Sequence, residues 1–163
     1  DAVSACCILA EAAAWAKDQG ISLYQLLQKV YLEYGYSKEV NISVVKKGKS
    51  GAEEIEAMMK NYRENPLKEI AGSKVTIFYD YASLKVYSFT DQEEFSINMP
   101  TTSNVLQYFA EDGTKVSVRP SGTEPKIKFY FEVHADIDSI AEIAQAEQAA
   151  VEKIELIKAS FGI

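Results

Sequence analysis

The stretch TKVSVRPSGTEPKIKFYFEV, Thr114 to Val133, decides the reading of most of this chain of 163 residues. Successive side chains on a strand point to opposite faces of a sheet. Ile127, Phe129, Phe131 and Val133 therefore share one face, and Lys126, Lys128, Tyr130 and Glu132 share the other. The segment before it repeats the pattern, with Val116 and Val118 inward and Lys115, Ser117 and Arg119 outward. Two neighbouring strands with apolar inner faces need a common core, and their outer faces deliver cations beside one connecting loop. Asp112-Gly113 is a strong hairpin signal leading into the first of them.

Working outward, Val105 to Ala110, Leu84 to Phe89 and Lys74 to Tyr79 read as further strands separated by turn residues, with Gly72 breaking the chain ahead of them. Upstream, Val40, Ile42 and Val44 alternate with Asn41, Ser43 and Val45, a strand beginning near Glu39. Ser50 and Glu53 form a capping box for a helix carrying Ile55, Met58, Met59 and Tyr62, which must stop by Asn65-Pro66. From Asp138 to about Ser160, Ile140, Ile143, Ala144, Ala150, Val151, Ile154 and Ile157 make an apolar helical stripe, with Asp136 or Asp138 as its N-cap. The sum over residues 38–163 is an α+β domain: an antiparallel sheet covered on one side by two helices. Residues 1–37 read differently. Val3 to Lys17 is a helix stopped by Gly20. A capping box of Ser22 and Gln25 opens a second, with Leu23, Leu26, Leu27, Val30 and Tyr34 on one face before Gly35. Two helices cannot bury both apolar faces alone, so the pair is expected to close a preceding domain. With Asp1 rather than Met at the start, the chain is expected to be a piece of a longer protein.

With 47% hydrophobic residues the chain can bury a core. A net charge of -7 and a pI near 4.8 argue against nucleic acid as a partner, because phosphate-backbone binding needs an extended basic face. No run approaches the roughly 20 apolar residues of a membrane span, and no charged n-region followed by an apolar h-region marks a secretory signal in these residues. The expected compartment is the cytoplasm. Cys6 and Cys7 are adjacent in an Ala-rich helical stretch, where neighbours diverge by about 100°. They cannot readily bond to each other and read as buried free thiols. No second cysteine pair or nearby histidine completes a zinc site.

Between Lys115 and Lys128 stand four cations (Lys115, Arg119, Lys126, Lys128) and one anion, Glu124, a local +3 that leaves -10 on the remainder. Positive charge this confined suits a small anion. The connecting loop adds hydroxyl donors on Ser121 and Thr123, the guanidinium fork of Arg119, and backbone N–H groups freed by a turn at Gly122, where glycine can take a positive φ. Pro125 donates no N–H and biases Glu124 toward extended backbone, which returns the chain to a strand. The same Ser-Gly-Thr also reads as a plain turn whose hydroxyls bond their own backbone. Convergent cations on both flanking strands are not needed for that.

The run Arg119-Pro120-Ser121-Gly122-Thr123-Glu124-Pro125-Lys126, continuing as Ile127-Lys128-Phe129-Tyr130, resembles the phosphate-binding loop of the C-terminal domain of the phosphohexomutases, the phosphoglucomutase and phosphomannomutase enzymes. The resemblance extends to the element order of residues 39–163, similar to that domain's TATA-box-binding-protein-like sheet. Residues 1–37 look like the closing helices of the family's third domain. It implies that Arg119, Ser121, Gly122 and Thr123, with Lys126 and Lys128, clasp the sugar phosphate that is not being transferred. The parent would interconvert hexose 1- and 6-phosphates through a phosphoserine and a bisphosphate intermediate, with Mg²⁺ stabilising charge. Its partners would be a phosphosugar substrate and the upstream domains of the same chain. Lys128 takes a position that is Arg in phosphoglucosamine mutases, and the Lys-Ile-Lys-Phe-Tyr continuation looks more like the phosphoglucomutase and phosphopentomutase branch. Phosphopentomutase, phosphoglucosamine mutase and a stand-alone phospholigand-binding module remain alternatives.

The catalytic serine loop, the Asp-Gly-Asp-x-Asp-Arg metal loop and the sugar-reading Gly-Glu-Glu-Ser loop are absent from these 163 residues. No catalytic residue and no metal ligand is therefore assigned here; Mg²⁺ would sit outside this stretch, and the chain alone is expected to be inactive. His134 reads as a strand-end residue. Asp136 and Asp138 read as caps, Gly51-Ala52-Glu53-Glu54 as a helix start, and Lys46-Lys47-Gly48-Lys49 as a solvated loop. The ten tyrosines and Met58-Met59 read as packing.

Overall fold

A computed structural model describes residues 2–46 and 48–163. Capping and periodicity account for its first elements. Helix α1 (Ala2–Asp18) ends before Gly20, and α2 (Leu23–Tyr34) is opened by Ser22. The Ser22 capping box forms in both directions: Gln25 N–H donates to Ser22 Oγ at 3.2 Å, and Ser22 N–H donates to Gln25 Oε1 at 2.8 Å. Strand β1 (Tyr36–Val45) follows, then α3 (Gly48–Glu64), β2 (Glu69–Ile70), β3 (Ser73–Asp80), β4 (Lys85–Ser88), β5 (Glu93–Ser96), β6 (Leu106–Ala110), β7 (Lys115–Pro120) and β8 (Lys126–Ala135). A 3₁₀ turn at Ile140–Glu142 leads into α4 (Ile143–Phe161). The strands form one sheet in the order β1-β8-β7-β6-β3-β4-β5, with β2 paired on β3. The chain is α+β, and its β2–β3, β3–β4, β4–β5, β3–β6, β6–β7 and β7–β8 pairs are all antiparallel.

The chain divides into two compact units, Asp1–Ser37 with Ala135–Gln148, and Lys38–His134 with Ala149–Ile163. In the first, Ala16, Tyr36, Ile137, Ile143 and Ala146 are buried, and the Tyr31 and Tyr36 rings lie 4.9 Å apart. Cys6 and Cys7 are exposed, contrary to the expectation of buried thiols. They lie on a helix whose other large apolar side chains, Ile8 at 67% and Leu9 at 64%, are exposed too. The N-cap of the C-terminal helical segment is Ser139 rather than Asp136 or Asp138, because Glu142 reaches back to accept from Asp138 N–H at 3.1 Å and Ser139 Oγ at 2.8 Å.

In the second unit the parity of β7 and β8 is as the sequence requires. Val116, Val118, Ile127, Phe129, Phe131 and Val133 are buried to within a few per cent. Tyr62 of α3 and Phe161 of α4 pack on this face, with ring centroids 6.2 Å and 5.7 Å from Phe129 and 5.5 Å from each other. The two tyrosine hydroxyls in this core are satisfied: Tyr62 donates to the Phe161 carbonyl at 2.7 Å and Tyr108 to the Tyr62 carbonyl at 2.9 Å. Burial raises the Tyr108 phenol well above its ordinary range, so it stays a donor. Helix α3 starts at Gly48, so Ser50 lies inside its first turn and does not cap it, and Gly48 and Lys49 are helical rather than loop. Lys47, in the same lysine run, lies outside the described residues.

Candidate functional site

Strand β7 ends at Pro120 and β8 begins at Lys126, leaving Ser121 to Pro125 to turn the chain. Three backbone bonds fix this loop. Ser121 N–H donates to the Lys126 carbonyl at 2.7 Å, Lys126 N–H to the Glu124 carbonyl at 2.7 Å, and Lys46 N–H, just past β1, to the Pro125 carbonyl at 2.9 Å. Thr123 N–H reaches Ser121 Oγ only at 3.5 Å, a long contact that holds little. Gly122 N–H and Glu124 N–H have no acceptor among the described residues. The expected positive φ at Gly122 does not occur: it is absent from the left-handed glycines, and the turn closes through Ser121 and Lys126 instead. A Cβ added there would meet nothing within 4 Å, so the glycine leaves an open face rather than relieving strain.

Arg119, Ser121, Gly122, Thr123, Lys126 and Lys128, the six residues singled out in the sequence, line one cavity of about 300 Å³ together with Pro120 and Tyr130. Arg119 and Lys128 are direct cross-strand partners. Lys126 is partly engaged by Glu124, with Nζ to Oε2 at 2.7 Å. That hydrogen bond, with the Lys126 charge and the more distant Lys128, holds the exposed Glu124 carboxyl below its usual range. Lys115 is the correction to the cationic cluster. Four residues along a strand is about 13 Å, and its Nζ pairs with Glu132 Oε2 at 3.3 Å. Burial works to raise the Glu132 carboxyl, but hydrogen bonds from His134 and Lys115 outweigh it and the net shift is downward. His134 is thereby accounted for by its 3.0 Å contact with Glu132.

A second cavity of about 530 Å³ lies on the other side of the same loop, walled by Ile55, Met59 and Arg63 of α3, by Asn104 and by Pro120 to Pro125. Sequence reasoning missed Arg63. Its Nε donates to both carboxylate oxygens of Asp80 at 3.1 Å, and its Nη2 donates to Asn104 Oδ1 at 2.8 Å. Asp80 is only 5% exposed and also accepts from Ser83 Oγ and Ala82 N–H, so the buried charge is paired and hydrogen-bonded. No local pattern links Arg63 to Asp80, which sit on different elements. Among the described residues no three His, Cys, Asp or Glu side chains gather as a metal site, and no helix is long and apolar enough to cross a membrane.

Residues 39–150 match the family model described as phosphoglucomutase/phosphomannomutase, C-terminal domain. The chain is 36% identical over 120 residues to a phosphoglucomutase of Staphylococcus haemolyticus, covering 74% of this chain and 22% of that protein. It is 34% identical over 143 residues to a phosphoglucomutase of Staphylococcus aureus, covering 87% and 26%. A solved phosphoglucomutase structure, the open form of pp63/parafusin from Paramecium, aligns with a TM-score of 0.43 at 19% identity, covering 87% of this chain and 24% of that one. The chain thus spans about a quarter of the length of the curated relatives it matches.

Proposed function

This chain belongs to the phosphoglucomutase/phosphomannomutase family, and from that premise we propose that it is the phosphate-anchoring C-terminal part of a phosphohexomutase. The relatives bear the name of an isomerase, and the parent's reaction in this reading is exchange of a hexose phosphate between its 1- and 6-positions through a phosphoserine and a bisphosphate intermediate. The residues of this chain bind and orient. Arg119 offers a planar fork and Lys128 a point charge to a phosphate dianion, while Ser121, Thr123 and the free N–H groups of the loop supply neutral donors. Held at that end, a phosphosugar is restricted to the few poses that point its other end out of the cavity, which is positional catalysis. In the parent Mg²⁺ supplies electrostatic stabilisation of the transferring phosphoryl group. Its ligands, in this reading, lie in other parts of the parent. The parent is read as cytoplasmic, with the phosphosugar and its own upstream domains as partners.

The observation that carries the reading is the juxtaposition of Arg119 and Lys128 at a cavity whose other polar side chains, Ser121, Thr123, Lys126 and Tyr130, can each donate. Calorimetric titration of the chain with inorganic phosphate at low salt tests it. Arg119→Ala is expected to weaken binding on the order of tenfold or more, as loss of a charge-assisted pair does. The chain alone is expected to show no mutase turnover in a coupled assay. Equal phosphate affinity in wild type and Arg119→Ala would remove the basis of the proposal.

A further inference from the structure

On the same outer face of the sheet, next to the anion cavity, lies a second cavity of about 330 Å³ whose polar lining is Glu39, Asn41, Lys115, Ser117, Tyr130 and Glu132. Tyr130 walls both cavities. Ser117 and Tyr130 are cross-strand partners, and Arg119 and Lys128 are the next same-face pair, about 7 Å along the strands. Their charge content differs in kind. The anion cavity holds Arg119, Lys126 and Lys128, whereas here one lysine stands against two carboxylates and is already paired with Glu132 at 3.3 Å. A second anion is disfavoured there, while a neutral group rich in hydroxyls finds carboxylate acceptors, an amide and an aromatic wall.

The donor at the centre of this lining is oriented from behind. Tyr81 O–H donates to Gln107 Oε1 at 2.8 Å, which leaves the Gln107 amide to donate to Ser117 Oγ at 2.9 Å. Ser117 Oγ is thus satisfied as an acceptor, and its own proton has no acceptor among the described residues. Stacking of Tyr81 on Tyr79, with ring centroids 5.8 Å apart and planes within 15°, and the edge contact of Tyr79 on Phe109 hold the relay in place. Such a relay fixes a hydroxyl as a donor toward whatever occupies the cavity.

We propose that this second cavity is a polyol subsite contiguous with the anion cavity, so that the sheet face itself grips the hydroxyl-bearing body of a phosphorylated sugar: Ser117 donates to a ring hydroxyl, Glu39 or Glu132 accepts from another, and the Tyr130 ring lies against the sugar's apolar face. The inference rests on the phosphate-anchoring reading above and deepens it by assigning where the sugar lies on this chain. Tyr130 is 38% exposed, which leaves its ring accessible from solvent. Tyr81 and Gln107 act through Ser117 and are positioning residues.

The test compares glucose 6-phosphate with inorganic phosphate as titrants of the 163-residue chain. Wild type is expected to bind the sugar phosphate on the order of five- to tenfold more tightly than phosphate, the gain of one or two hydrogen bonds and a stacked ring. Ser117→Ala should remove most of that advantage while leaving the phosphate affinity unchanged, and Tyr130→Ala, which also alters a wall of the anion cavity, should lower the ratio of sugar-phosphate affinity to phosphate affinity. Gln107→Leu should do so partly, and amide chemical shifts of the core strands report that each variant keeps the fold. Equal affinity for the two titrants in wild type, or an advantage untouched in both Ser117→Ala and Tyr130→Ala, overturns the subsite and leaves the phosphate anchor standing. Failure of phosphate itself to bind overturns both.

Discussion

Arg119 and Lys128 stand directly opposite each other on β7 and β8, with both side chains on the sheet face away from the core. Like charges at such a position repel, and cross-strand pairs carry on the order of 0.2–1 kcal/mol. The free chain bears that cost, and a bound dianion turns repulsion into shared attraction. Lys128→Gln should therefore stabilise the free chain by about 0.5 kcal/mol in thermal or urea unfolding, and weaken phosphate binding on the order of tenfold. With phosphate well above the wild-type dissociation constant the order should reverse, because ligand binding to the native state alone adds stability. A Lys128→Gln variant less stable than wild type in both conditions would mean the pair is not strained.

Gly122 separates a requirement of the fold from one of the ligand. Its φ is not positive and a Cβ there would meet no atom within 4 Å, so Gly122→Ala should leave unfolding within about 0.5 kcal/mol of wild type. A methyl group on the open face of the loop should nonetheless obstruct approach of an anion to the unpaired N–H groups, and phosphate affinity should fall several-fold. Unchanged affinity in calorimetry would show that the anion does not approach the loop from that side.

What could be read from the sequence was whatever periodicity and capping govern locally. Two-residue alternation placed Ile127, Phe129, Phe131 and Val133 in the core, and side-chain chemistry alone produced the Ser22 capping box. Alternation fails for β5, whose Glu93 to Ser96 are all exposed, and β2 is too short to show any period. The six site residues, three in the loop and three on its flanking strands, are brought to one cavity by the β7–β8 register, which local parity already implied. The salt bridge that withdraws Lys115 from the cluster needed the same register extended to Glu132, and the Arg63–Asp80 pair joins elements that no local rule connects. The open backbone of Gly122 depends on how Ser121 and Lys126 close the turn, a three-dimensional fact.

Gly51 supports the loop from a distance. A Cβ there would lie 2.7 Å from both the carbonyl carbon and the Cβ of Lys46, and Lys46 N–H holds the Pro125 carbonyl. The clash involves backbone and cannot be relieved by a rotamer change. Gly51→Ala should destabilise the chain by about 1–3 kcal/mol through overpacking. It should also lower phosphate affinity, because the displaced Lys46 releases the end of the loop. Denaturant unfolding and a phosphate titration read the two effects separately. A variant of wild-type stability would show that Lys46 shifts freely.

Asp112, in the turn between β6 and β7, gives the unit its clearest acid dependence. Burial alone would raise its carboxyl, but the hydrogen bond from Lys153 Nζ at 2.6 Å, the bond from the Thr114 backbone N–H at 2.9 Å, and the Lys153 charge lower it from 3.8 to about 2. A folded-state value below the unfolded one means the carboxylate contributes stability above about pH 4, and that this contribution is lost as pH falls toward 2. The side chain is 34% exposed, so solvent screening cuts the worth of the shift to about 1 kcal/mol. Asp112→Asn keeps an acceptor for Thr114 N–H and removes only the charge facing Lys153. It should cost about 1 kcal/mol in urea unfolding at pH 7, with the gap to wild type closing as pH approaches 2. A gap of constant size across that range would show that Asp112 acts through turn geometry alone, with no net contribution from the bridge between the β6–β7 turn and α4.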